Sequence, residues 1–276
     1  MAFLEKFLSE TLGLTKFPPY LSTFYWALFT FTFIHLVVSP IVSKRFFPTA
    51  FGAKGRLARN TWSIHVVSQI HVLVVVPAAL WCISNEKPGR DQERAFGWDN
   101  NAGYVLAISA AYFVWDALDA MINFIDPGFV AHGIACCAIY TMSFKPFVAY
   151  YGTRCLLWET STFFLNNHWF LDKTGRTGTT IQLVNGVGLV ASFFLVRIVY
   201  GGSISIQFLF TLHEVRHEVP IAYVLVYGLG NVVLQGLNWF WFYKIISALR
   251  KRFNSSDETV KLIGQDQIPN GLPTHA

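Results

Sequence analysis

Charge is what this sequence has least of. Only 13% of its 276 residues are Asp, Glu, Lys or Arg, against roughly a quarter in soluble domains, while 53% are hydrophobic. That shortage excludes an ordinary water-soluble globule and predicts an all-α, polytopic transmembrane helical bundle. The four cysteines, Cys82, Cys136, Cys137 and Cys155, lie in or beside apolar segments without metal-ligand spacing or a disulfide framework. They read as small core residues, and no metal site is expected. A P-loop, a Gly-x-Ser-x-Gly elbow and a dinucleotide fingerprint are all missing, so no cofactor is implied. The net charge of +5 does not point to nucleic acid, because the positive residues gather in a few loops and the tail. Residues 1–20 lack the basic start and small-residue cleavage site of a secretory signal. Phe3, Leu4, Phe7, Leu8 and Leu12 instead give a weak amphipathic pattern that suits a membrane surface and stops at Pro18-Pro19.

What is there in abundance is long apolar runs. They predict about seven spans, with six to eight allowed, at about 21–40, 61–83, 103–124, 128–151, 154–171, 180–201 and 220–248. Pro146 kinks or breaks the fourth. Residues 204–212 either extend the sixth helix or form a re-entrant piece. The most basic loop, 44–59, carries Lys44, Arg45, Lys54, Arg56 and Arg59 with no acid. With seven spans it falls on the same side as the basic start of a polar, disordered tail at 251–276. The positive-inside rule makes that side cytosolic and the N-terminus lumenal.

Polar residues at membrane depth carry the functional information. A charge near the bilayer centre costs about 2.5–3.5 kcal/mol on insertion scales, so it must face the bundle interior or a wet cavity. Glu159, Thr162, Asn166 and Trp169 follow i, i+3, i+7, i+10 and share one helix face. Tyr112, Asp116 and Asp119 share another, as do Asn231, Gln235 and Asn238. His65, Ser68 and Gln69 share a face from which His71 points away. His132 and Asp126 open the fourth span, and Arg197 closes the sixth, where it can snorkel. These stripes can close around a polar cavity that suits a lipid, headgroup inside and tails outward. They can equally serve as interhelical glue, and Asp119 and Asp126 can sit at the interface. A histidine beside a carboxylate, here His132 with Glu159, could also act as base or nucleophile in acyl transfer.

At these residues the chain resembles the TLC family, named for TRAM, Lag and CLN membrane proteins. The likeness covers residues 57–250. It rests on Trp62 to His65, Gly103-Tyr104, Asp116, the Asp126 to His132 stretch, and Glu159-Thr160-Ser161-Thr162-Phe163-Phe164-Leu165-Asn166, the last similar to the TLC-domain-containing branch. The resemblance implies a helical bundle in the endoplasmic reticulum or another endomembrane, acting on, sensing or moving lipids. Its ceramide synthase branch carries paired histidines and two acids three residues apart. Here His132 stands alone between Ala131 and Gly133, and Thr162 replaces the second acid, which argues against ceramide synthase chemistry. Lipid handling is therefore the first expectation, with a sphingolipid or phospholipid as partner. An acyl-CoA-dependent N-acyltransferase, with acyl-CoA as co-substrate, is the second. A trafficking or cargo protein is the third. A homodimer is left open.

Overall fold

The computed structural model describes residues 2–52, 54–86, 94–124 and 126–266 of an all-α protein. Among the described residues, seven helices exceed fifteen residues: α1 (Pro18–Phe46), α2 (Arg56–Ser84), α3 (Asn100–Ile122), α4 (Pro127–Met142), α5 (149–173), α6 (Thr180–Glu214) and α7 (Ile221–Asp266). Their starts follow from local sequence. Pro18 and Pro127 occupy first-turn positions, where the missing N–H costs nothing. The Asp99 carboxylate accepts from Ala102 N to cap α3, Asp126 accepts from Gly128 N to cap α4, and the Thr179 hydroxyl accepts from Gln182 N to cap α6.

The helices alternate in direction, and contacts at each end fix this. At one end Tyr20 of α1 donates to Asn100 O of α3, Glu86 beyond α2 pairs with Arg154 of α5, and Tyr151 of α5 bonds Thr211 of α6. At the other, Trp62 of α2 donates to Ser43 of α1 and packs on Trp169 of α5, while Asp126 before α4 pairs with Lys244 of α7. The first is called here the α3-start end, the second the α2-start end.

Five of these helices are long and apolar enough to cross a membrane: α1, α2, α3, α6 and the Ile221–Arg250 part of α7. The remaining two differ from the expected spans for identifiable reasons. α4 was expected to reach residue 151 and stops at Met142, because a reversal through 143–148 intervenes. In it Val148 takes a left-handed backbone (φ 51°) that a β-branched residue seldom adopts. α5 is long but carries Arg154, Glu159, Asp172 and Lys173, which lower its hydropathy. Residues 204–212 extend α6, which settles that alternative in favour of a continuous helix. α7 continues into the polar tail as far as Asp266.

Two buried clusters hold the bundle. The larger packs α1 through α5 around Val67, Leu106, Ala110, Phe144 and Leu156. The smaller joins the start of α5 to α6 and α7 through Tyr151, Phe208 and Tyr227. The α3–α4 crossing brings backbone close to backbone: a Cβ placed on Gly133 would lie 3.0 Å from Ala117 Cα. This close approach seats His132, one residue earlier, against Phe113 of α3.

Candidate functional site

The reversal after α4 decides which polar groups meet. His132 lies ten residues before Met142 and Glu159 ten residues after Ala149. At 1.5 Å per residue both sit about 15 Å from the same end of the bundle. A short α4 beside a longer, antiparallel α5 thus brings to one depth two residues that stand near the starts of their predicted spans. Both line a cavity of about 50 Å³, together with Cys136, Tyr140, Arg197, Asn231 and Asn238. That volume suffices for a few waters or a small polar group, not for an acyl chain.

Within this cavity the expected His132–Glu159 pair does not form. Glu159 is taken by Arg197, with Nη2 to Oε1 at 3.5 Å. His132 instead has Cys136 Sγ 3.8 Å from both ring nitrogens and the Trp241 ring 5.4 Å away. No hydrogen bond or ion pair joins His132 to a carboxylate among the described residues.

Arg197 is the centre that sequence reasoning missed. Read as the last turn of a span ending at 201, it was expected to snorkel. Because α6 continues to Glu214, Arg197 stands seventeen residues from each end of a 35-residue helix. The guanidinium cannot reach either surface and is buried, with 5% exposure. Residues Phe193–Tyr200 around it are wound as a π-helix, a widened turn that re-aims side chains and recurs at functional sites. Its donors are spent on two neighbouring helices, α5 and α7. Nε donates to Ser161 Oγ (2.8 Å), Nη1 to Asn238 Oδ1 (3.1 Å) and Nη2 to Thr162 Oγ1 (3.0 Å). Gln235 closes the web: its Nε2 donates to Arg197 O, and its Oε1 accepts from Asn238 and Ser205. A planar fork of donors serves this arrangement where a lysine could not.

Other expected site residues fall into separate places. Asn166 is buried and donates to Ser68 Oγ, tying α5 to α2. Tyr112 stacks on His71 with ring centroids 3.7 Å apart. His71, which points away from the face of His65, Ser68 and Gln69, is fully buried. His65 lies edge-on to Trp169 at the α2-start end, away from the cavity. Asp116 is half-buried on α3, near enough to Glu159 and Asp119 for electrostatic contact. Asp119 accepts from Asn60 and Asn123, and Asn60 Oδ1 meets His35 Nε2 at 2.8 Å. Asp126 does not line the cavity: it caps α4 and meets Lys244 at 3.8 Å, the interface alternative. Asn231 lines both the cavity and an outer groove between α6 and α7. Among the described residues no group of three His, Cys, Asp or Glu is arranged to hold a metal ion.

A second, much larger space opens sideways. A groove of about 900 Å³ runs between α1, α2, the end of α5 and the start of α6. Ile34, Val38, Val66 and Ile70 line its inner part, and Asn167, Thr174, Arg176 and Asn185 line its outer part beside Val42, Leu171 and Ile181.

A polytopic helical bundle with a buried charge web and a groove between α1, α2, α5 and α6 is thus the class that the fold defines. The TLC domain model (TRAM, LAG1 and CLN8) matches residues 61–247, and the chain belongs to the TLC domain family. It is similar to an uncharacterized TLC domain-containing protein of Schizosaccharomyces pombe, 33% identical over 264 residues, which cover 94% of this chain and 90% of that one. It is 28% identical over 235 residues to topoisomerase I damage affected protein 4 of Saccharomyces cerevisiae, covering 81% and 83%. It is 26% identical over 259 residues to human TLC domain-containing protein 4, covering 89% and 92%.

Proposed function

We propose that this protein is a lipid-handling integral protein of the endoplasmic reticulum, N-terminus lumenal and C-terminus cytosolic, that binds a membrane lipid from within the bilayer. The supporting observation is the sideways groove: its volume, its apolar inner wall and its polar outer rim suit an amphiphile. The Arg197 web supports the reading by holding α5, α6 and α7 rigidly together behind that surface. An acyltransferase reading draws less support, since Arg197 occupies Glu159 and the cavity at His132 is too small for an acyl chain. The test is purification in mild detergent followed by mass spectrometry of co-purifying lipids. A reproducible lipid, enriched over an unrelated membrane protein prepared in parallel, is expected. A profile that matches bulk membrane would overturn the reading.

A further inference from the structure

The order of side chains along the groove carries more than its size. Arg176 is at the mouth, exposed, in the short turn between α5 and α6. It has no ion-pair partner among the described residues. Thr174 follows. One level deeper come Asn167, six residues before the end of α5, and Asn185, five residues after the start of α6. Asn185 spends its Nδ2 on Phe164 O, which leaves its carbonyl oxygen free, and Asn167 has no hydrogen-bond partner among the described residues. Val42, Phe170, Leu171 and Ile181 give these two levels apolar sides, and beyond them the wall is Val38, Val66 and Ile70. From outside inward the polar groups of the groove are therefore a cation and then amides able to donate and accept, set among apolar side chains, and its deepest wall is mainly hydrocarbon.

We propose that this groove is the binding site of an anionic glycerophospholipid, with its phosphate on Arg176, an acyl ester on Asn167 and one acyl chain against α1 and α2. The inference rests on the lipid-handling reading and adds the class and pose of the lipid. The three layers match the three parts of such a molecule in order. An ester accepts from the free Asn167 amide, and the phosphate supplies the negative partner that Arg176 lacks among the described residues. The α6 N-terminus opens beside Ile181 of the same groove and adds partial positive charge at the phosphate level. Basic residues Lys44 and Arg45 end α1 on the same face of the bundle, which raises the local concentration of acidic lipid.

The experiment uses the full chain in phosphatidylcholine nanodiscs containing a trace of phosphatidylserine with a diazirine on one acyl chain. After illumination, labelled peptides are mapped by mass spectrometry. Labels are expected on the Val66 to Ile70 and Asn167 to Leu171 segments. Arg176→Glu removes the phosphate partner and Val42→Trp fills the groove from an exposed position; each should cut that labelling about fivefold or more. Unlabelled phosphatidylserine should compete better than added phosphatidylcholine. Labels elsewhere, or undiminished in both variants, would overturn the groove as the site. Equal competition by the two lipids would overturn the anionic headgroup. Either result would leave lipid handling standing if a lipid enriched over bulk membrane still co-purified; the absence of any such enriched lipid would sink that broader reading instead.

Discussion

Arg197 of α6 and Glu159 of α5 face each other in the middle of the bundle, 3.5 Å apart and both buried. Two charges removed from water this far are stable only when their remaining donors and acceptors are met. Ser161, Thr162 and Asn238 meet most of the guanidinium's. Removing one partner leaves the other charge stranded. Glu159→Gln and Arg197→Met should each destabilise the protein by about 3–5 kcal/mol, and the double variant by less than their sum. Thermal unfolding in detergent measures this; additive losses would show that the pair is not coupled. Arg197→Lys should recover little, since one ammonium cannot meet the partners on both α5 and α7.

How much of this was legible in the sequence depended on whether the signal was local. The all-α membrane class follows from composition alone. The inward stripe Glu159, Thr162, Asn166 follows from helical spacing, and each of its members is in a polar contact across helices. Arg197 was misplaced because its role depends on where α6 ends, and Ser203, Ser205 and Gln207 blurred that end. The partner of Glu159 was misassigned for a related reason: the fourth and fifth helices are neighbours in sequence, whereas the cation comes from the sixth. His35 and Asn60 went unnoticed because each is a single polar residue, and only the crossing of α1, α2 and α3 joins them to Asp119.

The α3–α4 crossing offers an independent check on the position of His132. A Cβ on Gly133 would press on Ala117 backbone at 3.0 Å, which no side-chain rotation relieves. Gly133→Val should force the helices apart and cost about 1–3 kcal/mol through overpacking. Gly175→Ala meets no atom within 4 Å but sits at φ 73°, so its smaller cost should come from backbone strain alone. Equal melting temperatures for Gly133→Val and the unaltered protein would refute the close crossing.

Membranes carrying this protein, supplied with sphinganine and acyl-CoA, should form no ceramide above background. His132 is paired with a thiol and an indole ring rather than with a carboxylate, and Glu159 is neutralised by Arg197. A base without an orienting acid, beside a 50 Å³ space, has neither the activation nor the room for acyl transfer. Robust synthesis abolished by His132→Ala would reverse this conclusion and promote the acyltransferase reading.

Orientation can be tested from the same helical frame. The alternating helices put the α1–α2 turn, the α5–α6 turn and the end of α7 at one face of the bundle. That face collects Lys44, Arg45, Lys54, Arg56 and Arg59, with Lys173, Arg176, Arg250, Lys251 and Arg252. The opposite face has acids and bases closer to balance, with Glu86, Arg94, Asp99, Lys145, Glu214, Arg216 and Glu218. Positive residues close to span ends stay cytosolic during insertion because their translocation is disfavoured, while acids count for little. The α2-start face is thus expected in the cytosol. The sequence Asn254-Ser255-Ser256 is a glycosylation sequon on that face, and it should remain unmodified because the modification occurs in the lumen. Protease added to sealed microsomes should remove a tag fused at Ala276 while leaving a tag fused before Met1 intact. A protected C-terminal tag, or a glycan on Asn254, would invert the topology and place the mouth of the groove, with Arg176, in the lumenal leaflet.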